Sequence, residues 1–182
     1  MFLGTGQLVD SVDNEKSFKD EAYVWADGDD EALGLVEQLT PNNITMDHIT
    51  ARNALMEIYG YSMLKDGSVY NLITTVIFNP NYSVINWVKY FSRDMSVYLS
   101  FFQSEEFKSF SLNGRFDYKV PFYNINGNMD YQTNYKLAQE YFDSVNAPYK
   151  KMFIMENTTH GLLESKSEEF SEIVHQIAEN ER

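Results

Sequence analysis

The chain has 182 residues, 43% of them hydrophobic and 15% aromatic, enough for one globular domain with a real core and too rich in large apolar side chains for a disordered chain. Its formal net charge of −13 repels phosphate backbones, so nucleic acid is excluded as an expected partner. It has no cysteine, which removes disulfides, thiolate metal sites and a Cys nucleophile.

Taken in order, Met1-Phe2-Leu3-Gly4 reads as the tail of a strand and Thr5-Gly6-Gln7 as a tight loop. Asp10 to Ala26 spaces Phe18, Ala22 and Trp25 as one helical face. Asp29 and Asp30 mark the start of a helix over Glu31–Leu39, because acids favour a helix N-terminus, and Pro41 closes it. Thr45 is the candidate N-cap of a helix reaching Tyr61, with Ile49, Leu55, Met56 and Tyr59 on its apolar face. Asp66-Gly67 is a turn. In Val69–Phe78 helix and strand compete, and Asn79-Pro80-Asn81 breaks the segment. Tyr82–Phe91 and Met95–Phe102 read as aromatic-rich helices packed on one another, their rings serving as core or, alternatively, lining an apolar pocket.

Beyond Asn113-Gly114 the pattern changes. A strand at Phe122 leads to Asn126-Gly127-Asn128-Met129-Asp130. A helix over Gln132–Val145 turns Leu137, Ala138, Tyr141, Phe142 and Val145 inward. Met152–Met155 is a continuous apolar run, as expected of a parallel strand buried on both faces. Glu168–Arg182 carries Phe170, Ile173, Val174, Ile177 and Ala178 at helical spacing and covers the sheet. The expected organisation is α/β. Residues 1–7 form a strand end and turn, 8–114 a long helical insertion acting as cap or lid, and 115–182 a β-α-β-α unit.

No run approaches the roughly 20 apolar residues that span a bilayer, and the start lacks the basic flank and apolar stretch of a signal peptide. The expectation is a cytoplasmic protein with no membrane partner, and the three Asn-x-Ser/Thr matches are read as chance. No cofactor is expected. Gly4-Thr5-Gly6 lacks the rest of a P-loop, and Asp27-Gly28-Asp29-Asp30 lacks the glycine and closing Glu of an EF-hand. His48, His160 and His175 show no metal-ligand spacing, and His175 is expected on the surface of the last helix.

Asp130 and His160 stand out. Singly, each has an ordinary explanation: a turn Asp bonded to nearby backbone, and a loop His in a structural hydrogen bond. Together they end two adjacent candidate strands, 30 positions apart with one helix between. Parallel neighbours lie about 4.8 Å apart, so the two side chains can meet at the carboxyl end of the sheet, where open α/β sheets place their chemistry. A carboxylate on one imidazole nitrogen fixes the tautomer and leaves the other nitrogen as a base.

The Asn-Gly-x-x-Asp turn, the approach Ala147-Pro148-Tyr149-Lys150, the ending Glu156-Asn157…His160-Gly161 and the opening Gly4-Thr5-Gly6-Gln7 resemble α/β-hydrolases of the proline iminopeptidase type. The resemblance implies that Asp130 and His160 match the acid and base of a Ser-His-Asp triad acting on a small peptide or ester, in a parent aminopeptidase or esterase. That family holds the substrate's amino group with cap acids. Glu15, Glu21 and Asp27 lie in the corresponding region, though no motif assigns them that role.

No serine sits in a G-x-S-x-G elbow, and no oxyanion loop precedes the insertion. The chain is therefore expected to be the C-terminal part of a hydrolase, without the first five strands and inactive alone. The alternative is a non-catalytic module that oligomerises, or binds its missing N-terminal half, through an exposed sheet edge.

Overall fold

The structure is a computed structural model, and it describes residues 1–63, 83, 85, 86, 89 and 96–181. The turn at Asp66-Gly67, the segment Val69–Phe78 with its break and most of Tyr82–Phe91 lie outside the described residues.

Three parallel strands form one sheet in the order β1-β2-β3: β1 (Phe2–Thr5), β2 (Phe122–Gly127) and β3 (Lys150–Met155). The register sets Phe2 against Phe122 and Phe122 against Lys150. Every residue of central β2 is buried. Its pleat turns Phe122 towards Val9, Ala138 and Tyr141 on one face, and Tyr123 and Ile125 towards Met155, Leu162 and Ile177 on the other. β3 differs from its expectation of burial on both faces: five of its six residues are only half-buried. Among the described strands it is an edge, so Lys150 and Lys151 keep their amines near solvent.

The described part of the segment between β1 and β2 is helical. α1 (Ser11–Trp25), α2 (Asp30–Val36) and α3 (Met46–Ile58) begin where short oxygen-bearing side chains can cap free N–H groups. Asp10 accepts from Val12 and Asp13, Asp29 from Glu31 and Ala32, and Thr45 from His48, each worth about 1 kcal/mol. Phe18, Ala22, Ala32, Val36, Ala51 and Leu55 from these helices make a core separate from the two that flank the sheet.

α4 (Ser96–Gln103) and α5 (Glu105–Lys108) follow. No residue of α4 is buried, and Phe101 is 57% exposed. A core role for these described aromatics is therefore corrected, since no element among the described residues buries them. Phe102 instead faces a cleft.

α6 (Tyr135–Ser144) crosses from β2 to β3. α7 (Leu162–Ser165) and α8 (Ser167–Asn180) close the chain. α6 starts three residues later than its apolar spacing suggests, because the Asp130 side chain holds the N–H groups of Gln132 and Thr133 in a turn. His175 is exposed, as expected. The α/β class and the parallel sheet are as expected. No helix among the described residues is long and apolar enough to cross a membrane.

Candidate active site at the carboxyl end of the sheet

β2 and β3 end side by side, and the loops that follow them are tied together. Asn128 N–H donates to Met155 O at 3.2 Å, Met129 N–H to Thr158 O at 3.0 Å, and Asn157 N–H to Asn128 Oδ1 at 2.7 Å. Gly127 permits this closeness: a Cβ there would stand 2.0 Å from Thr158 O. The second loop is also held from the insertion, since Thr159 Oγ1 and Gly161 N–H both donate to Met63 O at 2.8 Å.

These loops bring Asp130 and His160 together, with His160 Nδ1 2.9 Å from Asp130 Oδ2. Asp130 is wholly buried, and its carboxylate is fully engaged. Oδ1 accepts the N–H groups of Gln132 and Thr133 at 3.0 Å each, while Oδ2 faces His160 and the Thr133 hydroxyl. The His160 side chain is 25% exposed, and Nε2 has no hydrogen-bond partner among the described residues. With the carboxylate on Nδ1, the neutral ring carries its proton there and presents Nε2 as an acceptor. The hydrogen bond His160 donates to Asp130 raises the imidazole pKa above its ordinary value, and Asp130's charge adds to this; burial and the Arg52 charge oppose it.

Two further residues complete the setting. The Thr133 hydroxyl lies 2.9 Å from Gly6 O, 3.1 Å from Asp130 Oδ2 and 3.3 Å from His160 Nδ1, joining the end of β1 to the acid and the base. Gly6 has φ +48°, and a Cβ there would come within 2.9 Å of His160 Cε1 and 3.3 Å of Asp130 Oδ2. Glycine is thus the residue that lets β1's turn lie flat against the pair. Both were open to recognition: a Thr three residues after an acid is a local capping spacing, and Gly6 follows a strand end. What the sequence does not reveal is that they converge from 127 positions apart.

The helical insertion contributes a second ionic group. No sequence signal joins Glu15 to His48 and Arg52, which lie one turn apart on the inward side of α3. His48 Nε2 is 2.9 Å and Arg52 Nε 3.0 Å from Glu15 Oε2, and Asn14 Nδ2 donates to Glu15 Oε1 at 3.1 Å. Burial pushes the Glu15 carboxyl up, but the Arg52 charge and the bonds from His48 and Asn14 outweigh it and hold the group below its usual range. Arg52 Nη2 also donates to Tyr131 O and Gln132 O at 3.1 and 2.9 Å, so the insertion grips the loop immediately after Asp130. An aromatic seam adds to that grip: Tyr131 meets Trp25 and Tyr61 edge-on, at 4.8 and 4.7 Å between ring centres.

Of the other acids in the insertion, Glu21 pairs with Lys136, while Asp27 is exposed in the turn after α1. A cleft of about 360 Å³ opens beside Thr133, between α1, α3, α4 and α5. No group of residues suited to hold a metal ion occurs among the described residues.

No protein-family model matches the chain, and no curated protein matches its sequence. Among solved structures, the crystal structure of bromoperoxidase from Bacillus anthracis is similar to it, with a TM-score of 0.47 and 15% identity over 72% of this chain. The match spans 45% of the length of that protein.

Proposed function

We propose that this chain carries the acid–base half of a serine-hydrolase site of the α/β-hydrolase kind, cleaving an ester or amide bond. His160 takes the proton of an attacking hydroxyl through Nε2 and returns it to the leaving group, while Asp130 holds the ring and stabilises the imidazolium. The observation that carries the reading is the 2.9 Å contact between a wholly buried, fully hydrogen-bonded carboxylate and a histidine whose other nitrogen has no hydrogen-bond partner among the described residues. With no serine in an elbow, the nucleophile and its oxyanion hole come from outside these 182 residues. An aminopeptidase of the proline iminopeptidase type is the narrower form of the reading, and it rests on the sequence resemblance.

Nitrogen-15 NMR of His160 and labelling by a fluorophosphonate probe test this together. The expected outcome is a neutral ring protonated at Nδ1 and no labelling of the isolated chain. An Nε2-protonated ring would remove His160 as the base, and stoichiometric labelling would place a nucleophile within the chain.

A second reading, a module that pairs through a sheet edge, is favoured by one contrast. β3 carries Lys150 and Lys151, a common guard against edge pairing, whereas β1 has only Phe2, Leu3, Gly4 and Thr5. Phe2 and Gly6 direct their N–H groups to β2, so Leu3 and Thr5 direct theirs away from it. Association abolished by Thr5→Pro in light scattering would support this reading, and a clean monomer at high concentration would end it.

A further inference from the structure

The cleft beside Thr133 has a definite chemistry. Leu8, Ile44 and Ile49 line it together with Phe102 and Phe107, and its polar base is built from Asn14, Glu15, His48, Arg52 and Gln132. At about 360 Å³ it falls within the range of small-molecule sites. It is more than twice a cavity of roughly 150 Å³ that accommodates benzene, so a ring with its substituents fits.

The charges at the base cancel within the protein. Glu15 is ionised and Arg52 is its cation, 3.0 Å away. Its Nη2 donates to the Tyr131 and Gln132 carbonyls, its Nη1 faces the Met56 sulfur at 3.7 Å, and its guanidinium stacks 4.3 Å over Phe18. His48 Nδ1 accepts the Thr40 N–H at 2.9 Å, so its proton sits on Nε2 and points at Glu15, leaving the ring neutral. A ligand therefore meets apolar walls and a base with no unspent charge. A free ammonium group would have to lose water without gaining an anion, because Glu15, the one carboxylate at the base among the described residues, is already neutralised.

We infer that this cleft takes an uncharged apolar or aromatic part of the substrate, as in an aryl or alkyl ester or a neutral amide, and disfavours the ammonium terminus of a peptide, which sets it against the aminopeptidase form of the hydrolase reading. The inference rests on the hydrolase reading above for its connection to His160, which does not itself line the cleft: the cleft ends at Thr133, whose hydroxyl lies 3.3 Å from the imidazole Nδ1.

Three probes of one size and different charge test it by NMR titration of the chain: phenylacetamide, phenethylamine and phenylacetate. Phenylacetamide is expected to bind saturably, shifting the Ile49 methyls and the Thr133 amide, with both charged probes at least tenfold weaker. Ile49→Trp, which fills the cleft, is expected to abolish those shifts. Phenethylamine or phenylacetate binding as tightly as phenylacetamide would overturn the inference. So would the absence of saturable shifts with any probe on the unmodified chain, which needs no variant to fold. The hydrolase reading is read separately in the same samples: an Nε2-protonated His160 would defeat it whichever probe wins.

Discussion

His48 and His160 each meet a carboxylate oxygen at 2.9 Å, and their surroundings make the two pairs into different things. His48 is 1% exposed, has both ring nitrogens occupied, and faces a carboxylate that also carries an arginine. His160 has one nitrogen on a buried acid whose other bonds come from its own loop and from Thr133, and its side chain reaches solvent. A His–carboxylate distance alone does not mark a catalytic pair. What separates the two is the fate of the second nitrogen, together with whether the carboxylate is shared with a cation. One pair fastens helices to a loop; the other leaves an imidazole nitrogen without a partner among the described residues.

The largest effect that would sharpen this contrast comes from Arg52→Ala. It removes the cation from Glu15 and the grip on Tyr131 and Gln132, and should cost about 3 kcal/mol in urea denaturation, the lower end for a broken buried pair. A loss below about 1 kcal/mol would mean that the insertion is not fastened here. The effect should depend on acid. The Glu15 carboxyl is lowered in the folded state, so its contribution is present above the ordinary pKa of 4.5 and disappears as pH falls through the folded value.

Gly6→Ala comes next. The positive φ alone costs roughly 1–2 kcal/mol for a residue with a Cβ, and the new methyl must displace the His160 ring. Loss of the His160 Nδ1 proton signal alongside the lowered stability is expected, with His48 signals unmoved. An unshifted His160 would show that the loop yields instead.

The subtlest test is a titration. Asp130→Asn should lower the His160 pKa from its raised position and leave His48 unaffected. Because the native pair binds its proton more tightly than the unfolded chain, its stabilisation is full below the ordinary pKa of 6.5 and is lost as pH rises through the native value. The Asn variant should flatten that slope in stability measured against pH. An unchanged slope would break the link between Asp130 and His160.

Local signals read well in this sequence because local physics decides them. Asp10, Asp29 and Thr45 cap where their side-chain chemistry predicts, and Phe18 and Ala22 face inward as their spacing requires. Asp130 and His160 could be paired on paper because one short crossover separates their strands. Burial of β3 could not be read so well, because Met152–Met155 is apolar whether or not another layer or strand covers it. The Glu15–His48–Arg52 group is not legible for a different reason: His48 and Arg52 lie 33 and 37 positions from Glu15 in the chain, and no periodicity links a carboxylate on α1 to α3. Aromatic content likewise misled at Phe101, since a ring-rich helix reads as core whichever neighbours cover it, and composition does not say which do.

The hydrogen bond from Thr133 to Gly6 has a kinetic consequence. β2 and β3 pair across 28 positions, but β1 and β2 pair across 120. Loop closure on these scales costs about 3 and about 4 kcal/mol of chain entropy respectively, before any contact rewards it. The unit from β2 to α8 can therefore assemble first, carrying Asp130 and His160 with it, and β1 docks afterwards. Until it does, the face of the imidazole that Gly6 covers stays open to water. The time at which that ring becomes shielded thus reports the last long-range closure of the fold.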